Sequence, residues 1–201
     1  MDIQRIVKEI ENGNLVITPT DTVYGIMAKA LDLNVIRKVF EAKQRAKNKS
    51  LIVLVNGEEM LSKVAKNISL VHKDLMNKYW PGKLTIIFDK NDDVPSELTG
   101  GLNTIAVRYP NHKELLEILK IVNEPLISTS ANISNSDTIT NTSMLDPELK
   151  KYIAYISDGG EVVAASSTIV TIIDNKVKIL RDGDLSSDIR SSFDCIDWGD
   201  F

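Results

Sequence analysis

The stretch VIRKVFEAKQRAKNKSLIVLV, residues 35–55, decides how this chain folds. Its apolar side chains recur at helical spacing from Val35 to Phe40, whereas Leu51 to Val55 are apolar without interruption, which is typical of a buried strand. Between the two lies a basic segment, residues 42–50, in which four of seven consecutive residues are cations. A helix that leads through a basic loop into a buried strand predicts an α/β unit, and the loop itself indicates a docking point for an anion.

The same alternation of helix and strand continues on both sides of this stretch. Apolar spacing predicts a helix near the N-terminus that ends at Gly13, where a left-handed residue suits a helix end. Further helices are predicted at residues 58–78 and 112–122, and strands at residues 15–17, 84–88, 104–109, 125–130, 152–157, 167–173 and 176–181. This order favours an α/β fold with a largely parallel or mixed central sheet.

Composition limits the class of protein. The 201 residues, 43% of them hydrophobic, are enough for one sizeable core, so residues 1–201 are interpreted as a single domain. The 24 Lys and Arg against 28 Asp and Glu give a net charge of −4, which argues against a protein that coats nucleic acid non-specifically. The single cysteine cannot form an intrachain disulfide, and no apolar run approaches the roughly 20 residues of a membrane span. Because the N-terminus also lacks the apolar core of a secretory signal, we expect a cytoplasmic protein.

Four polar segments each follow an apolar strand: residues 18–22, 108–110, 128–132 and 181–183. Because ligands of open α/β sheets bind beyond the carboxyl ends of strands, these segments are expected to meet in one crevice with the basic loop. Each segment alone has a simpler interpretation, with Arg108 as a surface charge and with Ser130 and Asn132 as turn formers that bond their own backbone. The combination is what indicates a binding site.

Several familiar chemistries lack the residues that they need. The chain has two histidines and one cysteine, and the histidines do not stand in the spacing of a metal site. It has no Gly-x-Ser-x-Gly elbow, no Gly-x-x-x-x-Gly-Lys-Ser/Thr loop and no Gly-x-Gly-x-x-Gly turn. If a nucleotide binds, side chains rather than a glycine-rich loop must therefore hold much of its phosphate.

Six motifs along the chain recur in the order of a known family. Together they resemble the YrdC-like family, whose members make threonylcarbamoyl-AMP for tRNA modification. The resemblance runs from about Leu15 to Arg181 and is closest to the short, single-domain form of the family. The motifs are PTDTVYG (residues 19–25), Lys43-x-Arg45, WPGKLT (residues 80–85), IAVRYP (residues 105–110), STSAN (residues 128–132) and STIV (residues 167–170).

The resemblance implies a twisted, open, mixed and largely parallel sheet flanked by helices, with a large, concave and positively charged cleft. It also implies a nucleotidyltransferase, L-threonylcarbamoyladenylate synthase, which uses ATP, L-threonine and bicarbonate. Mg²⁺ is then expected on the ATP phosphates, with no ligand from a side chain. A tRNA-modifying threonylcarbamoyl transferase complex is the expected acceptor of the product, with a weak tRNA contact at most and no membrane partner.

The resemblance further implies roles for individual residues. The expected catalytic residues are Lys43, Arg45, Ser130 and Asn132. These four and Lys49, Thr104, Thr138 and Arg181 are expected to bind ATP, and the threonine site is expected to contain Thr22, Arg108, Ser128 and Ser167. The chain departs from the family at Leu54, where many longer relatives have a histidine near threonine, and at the loop residues Ala46, Ser50 and Asn135.

Two other hypotheses remain at this stage. One is a module that binds tRNA or double-stranded RNA in a basic groove without chemistry, although an acidic chain with 5% aromatic residues offers little for backbone coating or base stacking. The other is a carbamoyl-transfer domain of the same fold that acts in metalloenzyme maturation, usually as part of a larger chain. An RNA binder should be indifferent to threonine, whereas a synthase should bind ATP and threonine without RNA.

Overall fold

A computed structural model describes residues 1–162 and 166–196. Its helices are α1 (Ile3–Glu11), α2 (Leu33–Ala42), α3 (Glu58–Leu61), α4 (Leu70–Tyr79), α5 (Lys113–Val122), α6 (Pro147–Lys150) and α7 (Ser186–Ser192), with one 3₁₀ turn at Thr142–Met144. Its strands are β1 (Leu15–Thr18), β2 (Gly25–Lys29), β3 (Ile52–Leu54), β4 (Ala65–Lys66), β5 (Leu84–Lys90), β6 (Thr104–Arg108), β7 (Leu126–Ser130), β8 (Ile153–Ile156), β9 (Thr168–Ile173) and β10 (Lys176–Arg181).

The strands form one mixed sheet in the spatial order β10, β9, β5, β6, β3, β7, β2, β1, β8, and β4 pairs with β5. Parallel pairing joins β1 to β8, β3 to β6 and β5 to β9, and the other named pairs among the described residues are antiparallel. The expected mixed α/β sheet is confirmed, but antiparallel pairs are commoner than in the largely parallel sheet that the alternation favoured. Short connections join β1 to β2 and β9 to β10, and such neighbours pair antiparallel without a helical crossover.

The stretch that decides the fold forms the centre of this sheet. α2 begins after Asp32, whose side chain accepts hydrogen bonds from the backbone N–H groups of Asn34 and Val35 at 2.8 and 3.2 Å. The buried face of α2 includes Val35 and Phe40, as the spacing predicts. β3 then lies between β6 and β7, where Val53 is fully buried. The basic loop therefore leaves a buried helix and enters the middle of the sheet, so both of its ends are fixed.

Two parts of the chain differ from the predicted elements. The predicted helix at residues 58–78 is instead α3, β4 and α4, because Ser69 and His72 form a capping box that starts a new helix. β2 has the sequence GIMAK, which lacks the β-branched residues typical of strands. Pairing with both β1 and β7 makes it a strand, so tertiary context decides its structure.

The core lies between the sheet and the helices that pack on it. α1 and α5 pack against each other, and Ile6, Ile10, Leu115 and Ile118 from these two helices are fully buried. Within residues 1–162 and 166–196, none of the helices has the length and apolar character that crossing a membrane requires.

Candidate active site

A cavity of about 190 Å³ lies between the sheet and the loop that joins β1 to β2. Among the described lining residues the charged side chains are all arginine, namely Arg45, Arg108 and Arg181. Hydroxyl groups provide most of the remaining polar lining, from Thr20, Thr22, Ser50, Ser128, Thr129, Ser130, Thr138, Ser166 and Ser167. A cationic, hydroxyl-rich cavity suits an anionic polar ligand.

The cavity brings together most of the site residues that the sequence predicts. Those that line it are Thr22, Arg45, Arg108, Ser128, Ser130, Thr138, Ser167 and Arg181. Lys43, Lys49, Thr104 and Asn132 lie outside this lining. The polar segments at the ends of β6, β7 and β10 therefore do converge with the basic loop, as expected, but not because these strand ends share one edge of the sheet. β6 and β10 run antiparallel to β7, so Arg108 and Ser130 lie at opposite ends of β3, and the cavity lies along β3 between them.

Arg108, the last residue of β6, forms one end of the cavity. Its side chain is only 7% exposed and forms an ion pair with Asp21, and its Nη1 donates to Thr22 Oγ1 at 3.2 Å. Its Nε is buried without a partner. Burial lowers the pKa of Arg108, Asp21 raises it and the nearby charge of Arg181 lowers it, but an arginine stays charged at neutral pH. Arg108 therefore presents a fixed cation with an unused donor.

Arg45 occupies another part of the cavity, where the basic loop turns towards β3. Its Nη2 donates to Ser50 O at 2.8 Å and its Nε donates to Lys49 O at 3.4 Å. Partial burial lowers the pKa of Arg45. The backbone of its own loop thus holds the guanidinium facing the cavity, which is the orientation that binding a phosphate requires.

Lys43 is placed differently from Arg45, although it is only two residues away. It caps the C-terminal end of α2, is 1% exposed, and points beneath the turn that ends β7. Its Nζ donates to Ser130 O, to Asn132 O at 2.7 Å and to Asn132 Oδ1 at 3.2 Å. Burial lowers the pKa of Lys43 to about 7, and the charge of Arg45 contributes to the shift. All three donors of the ammonium are therefore engaged within the protein.

The Ser130–Asn132 turn rests on that ammonium. Ser130 Oγ donates to Asn132 Oδ1 at 2.6 Å, and Asn132 Nδ2 donates to Ser136 O. The Asn132 side chain is thus bonded on both sides inside the protein, whereas Ser130 is one of the residues that line the cavity. Lys43 and Asn132 support the wall of the cavity, and Ser130 forms part of its surface.

Ser167 and Arg181 form a third side of the cavity. Arg181 Nε donates to Ser167 O at 3.0 Å, and its Nη2 donates to Ser167 Oγ at 2.8 Å. Ser167 Oγ lies 2.8 Å from Thr85 Oγ1 on β5, so this pair is tied to the sheet. Burial lowers the pKa of Arg181. Three arginines from three separate segments thus surround one space.

Two of the predicted residues outside the lining are displaced for identifiable reasons. Thr104 begins β6 and Arg108 ends it, so four residues of strand separate their backbones by roughly 13 Å. Lys49 is exposed, and its Nζ donates to Asn135 Oδ1 at 3.3 Å, which joins the basic loop to the loop after Asn132. The predicted ATP contacts of both residues stay predictions.

Sequence reasoning missed several residues that build the site. Asp21 fixes Arg108 and accepts a hydrogen bond from the backbone N–H of Asn111 at 3.2 Å. Tyr24 is fully buried, and its hydroxyl donates to Gly160 O at 2.7 Å and accepts from the backbone N–H of Gly159 at 2.9 Å. Asp21 and Tyr24 both lie in the PTDTVYG motif, so the motif as a unit was the available signal.

The described residues contain no group of three or more His, Cys, Asp or Glu side chains that could hold a metal ion. A metal in this cavity would have to be bound mainly by oxygen atoms of a substrate, with hydroxyl groups as the available protein ligands. The hydroxyl-rich lining fits a hard cation such as Mg²⁺, which binds oxygen ligands and retains several waters.

Comparison with known proteins identifies related chains. A model of the Sua5/YciO/YrdC family, described as "Telomere recombination", matches residues 8–183. The threonylcarbamoyl-AMP synthase of Pyrococcus abyssi is 37% identical over 177 residues, which cover 88% of this chain and 52% of the relative. A putative threonylcarbamoyl-AMP synthase of Methanocaldococcus jannaschii is 38% identical over 177 residues, covering 88% of this chain and 83% of that protein. The Bacillus subtilis threonylcarbamoyl-AMP synthase is 32% identical over 181 residues, covering 89% of this chain and 52% of the relative.

Solved structures show the same fold. P. abyssi Sua5 complexed with L-threonine matches with a TM-score of 0.89 and 34% identity over 96% of this chain and 58% of that one. E. coli YciO matches with a TM-score of 0.81 over 92% of this chain and 91% of that one, at 24% identity, which shows a shared fold alone. The chain therefore spans about half the length of the P. abyssi and B. subtilis synthases and most of the M. jannaschii relative. With a family match over most of its length and synthase relatives above 30% identity, this chain belongs to the Sua5/YciO/YrdC family.

Proposed function

We propose that this protein is an L-threonylcarbamoyladenylate synthase, which converts L-threonine, bicarbonate and ATP into threonylcarbamoyl-AMP and pyrophosphate. The amine of threonine and bicarbonate give a carbamate with loss of water. A carbamate oxygen then attacks the α-phosphorus of ATP, and the bond to the bridging oxygen breaks so that pyrophosphate leaves. The names of the relatives and the L-threonine complex of P. abyssi Sua5 support this reaction.

The observation that carries the proposal is the placement of Arg108 and Arg45 around one cavity. The reaction needs a site for an amino-acid carboxylate and a site for phosphate, close enough for their substrates to react. A buried arginine flanked by hydroxyls suits the carboxylate, and an arginine held in a basic loop suits the phosphate. The fold supplies both from segments that are more than sixty residues apart.

At the Arg108 side, the guanidinium is assigned to the threonine carboxylate. Thr22 Oγ1 is already bonded to Arg108, and Ser128 lies on the cavity wall, so both hydroxyls are available to the polar groups of threonine. Ser167 is assigned to the same substrate from the third side of the cavity. Leu54 is the register partner of Arg108 on the neighbouring strand and gives this end an apolar surface.

At the Arg45 side, the positive charge is assigned to the ATP phosphates. Arg45 and Arg181 would stabilise the charge that develops as pyrophosphate departs, and Thr138 and Ser130 lie beside them. Lys49 and Thr104 remain proposed ATP contacts, from outside the cavity lining. Lys43 and Asn132 act on the reaction from behind the cavity wall, because their polar atoms are engaged there.

No described side chain stands out as a general base, so we assign catalysis to positioning and electrostatic stabilisation. Mg²⁺ bound to the ATP phosphates would neutralise part of their charge and orient them. A tRNA-modifying transferase complex is the proposed acceptor of the unstable adenylate, and a weak tRNA contact of this chain belongs to the same proposal. The alternative, a module that only binds RNA, has less support. Arg45 lines the cavity as well as a pocket on the outer surface, so its charge is not placed for an external RNA alone.

The test is pyrophosphate release by the purified protein with ATP, Mg²⁺ and bicarbonate, with and without L-threonine, and with mass detection of the adenylate. We expect release that depends on both threonine and bicarbonate. D-threonine serves as a matched control, since it carries the same groups in the wrong arrangement. Release that ignores threonine, or its complete absence from a folded protein that binds RNA, would overturn the proposal.

A further inference from the structure

The hydrogen bonds beneath the Ser130–Asn132 turn have only one possible direction. The protonated form of Lys43 can only donate, and the Asn132 atom that faces it is the amide oxygen, at 3.2 Å. Ser136 O can only accept, so the atom that faces it must be the amide nitrogen. The two contacts agree, and together they fix the orientation of the Asn132 amide.

This orientation determines where the Ser130 proton lies. Asn132 Oδ1 is an acceptor, and Ser130 Oγ lies 2.6 Å from it, so the Ser130 hydroxyl must donate to it. The single proton of that hydroxyl is then directed into the protein. Ser130 lines the cavity and its hydroxyl is only partly buried, so what this hydroxyl can offer a ligand there is its lone pairs and not its proton.

An oxygen of this kind is a poor partner for a phosphate oxygen, because both atoms are acceptors. Its natural partners are a metal cation or an N–H donor. Ser130 shares its part of the cavity with Ser50 and Arg45, which are bonded to each other. The antiparallel register of β3 and β7, projected two residues beyond β3, places Ser130 beside Ser50. Arg108 instead adjoins Leu54, at the other end of β3.

We infer that Ser130 Oγ is a direct ligand of the Mg²⁺ that accompanies ATP, and that Lys43, acting through Asn132, holds it in the state that binds metal. This inference rests on the proposed function and changes one detail of it, because the sequence predicted no metal ligand from a side chain. Lys43 is accordingly a positioning residue. Hydroxyl ligands of this type are common where a nucleotide carries its metal into a site.

The first experiment measures metal affinity without turnover. Mn²⁺ is titrated into the protein saturated with the α,β-methylene analogue of ATP, whose α–β bridge the reaction cannot break, and free Mn²⁺ is followed by electron paramagnetic resonance. S130A is expected to weaken Mn²⁺ binding roughly tenfold, the size of one charge-assisted contact, while the affinity of the metal-free analogue stays unchanged. S166A is the matched control, because Ser166 is a cavity hydroxyl outside the chain of bonds, and it should keep the wild-type Mn²⁺ affinity.

The second experiment changes the ligand chemistry. In S130C a softer sulfur replaces the oxygen, so the ratio of Cd²⁺ to Mg²⁺ affinity should rise at least tenfold over that of the wild type. A merely structural role of Ser130 would not move this ratio. K43M should weaken Mn²⁺ binding, because the Asn132 amide is no longer held by Lys43. It should not change the ratio of Cd²⁺ to Mg²⁺ affinity, because the Ser130 hydroxyl remains in place. Thermal melts identify any variant that fails to fold, and the isosteric S130C carries the test if S130A unfolds.

Three results would overturn the inference. Unchanged Mn²⁺ affinity in S130A with weaker binding of the metal-free analogue would make Ser130 a phosphate donor. Unchanged Mn²⁺ affinity in S130A together with a raised threonine KM would mean that Ser130 Oγ accepts a hydrogen bond from the threonine amine. An unchanged metal preference in S130C would remove Ser130 from the metal shell. Threonine-dependent adenylate formation by the wild type would keep the proposed function intact in each case, whereas wild-type protein that neither turns over nor binds the analogue overturns both.

Discussion

Replacing Arg108 by methionine tests the threonine end of the cavity and separates binding from folding. The Arg108 side chain is 7% exposed and pairs with Asp21, whose side chain is 11% exposed. Removing the guanidinium leaves the Asp21 carboxylate without its counter-ion. Breaking a buried ion pair in this way costs about 3–5 kcal/mol, and the partial exposure of Asp21 together with its bond from the Asn111 N–H places R108M near the lower figure.

A second substitution shows which part of that loss is structural. The double variant R108M/D21N carries no unpaired charge, so it should recover most of the free energy of unfolding. Threonine binding should not recover, because the carboxylate of the substrate has lost its cation. Two charge-assisted hydrogen bonds at about 1.5–3 kcal/mol each correspond to a rise in the threonine KM of roughly 100-fold or more.

Two assays on the same three proteins decide the matter. Urea unfolding gives the stability of the wild type, R108M and R108M/D21N, and pyrophosphate release against threonine concentration gives KM. The reasoning is refuted if R108M keeps the wild-type KM within about twofold, or if the double variant regains threonine binding along with stability. The ATP KM should be nearly the same in all three proteins, since Arg45 and Arg181 are untouched.

Three further predictions follow from other contacts. At Gly100, with φ +63°, an added Cβ would lie 2.6 Å from Asn48 O, whereas at Gly101, with φ +86°, it would enter open space. G100A should therefore lower the free energy of unfolding by at least about 1 kcal/mol more than G101A does, and it should also raise the ATP KM. Burial lowers the pKa of His72 in the folded protein. The neutral imidazole therefore stabilises the fold fully above the unfolded-state pKa of about 6.5, and this stabilisation is lost as the pH falls below that pKa. In urea unfolding, the stability difference between wild type and H72Q should shrink from about pH 7.5 to about pH 5. Y24F leaves two backbone groups without their hydroxyl partner and should cost about 1–3 kcal/mol in the same assay.

Each of these has a clear contrary result. Equal stability of G100A and G101A would mean that the basic loop does not rest on residue 100. A stability difference between wild type and H72Q that grows on acidification would mean that the folded state favours the charged imidazole. A Y24F protein as stable as the wild type would show that water replaces the hydroxyl.

The convergence of the polar segments was predicted from the sequence, but the strand-end argument used to predict it does not apply to this sheet. Arg108, Ser130 and Arg181 each stand at the end of an apolar strand, yet β6 and β10 run antiparallel to β7, so these ends lie at opposite edges of the sheet. The three residues line one cavity because it lies along β3, from Ser50 to Leu54. The α2–β3 unit was predictable from the sequence, because its apolar pattern is strong and its length is typical. α2 and β3 share a local signal that agrees with the final fold.

The remaining features depend on contacts between distant segments. Lys43 and Arg45 look alike in the sequence, yet one points beneath the turn and the other faces the cavity, because only Lys43 lies below the carbonyls of Ser130 and Asn132. The partner of Arg108 could not be deduced either, because Asp21 lies 87 residues away in the chain. β2 lacks strand propensity and forms only because two strands pair with it.

The central claim is that this chain makes threonylcarbamoyl-AMP in the cavity that Arg45 faces. It is tested most directly by quantifying the adenylate by mass spectrometry in reactions of wild type, R45A and K47A, with equal amounts of folded protein. Lys47 is an exposed cation of the same loop outside that cavity, so K47A is the matched control. We predict threonine-dependent product from the wild type and K47A. In R45A most of the product should be lost while the protein stays folded, with only the modest drop in unfolding midpoint that follows from losing two hydrogen bonds to its own loop. Product from R45A at the wild-type rate, or the absence of product from all three, would contradict the account.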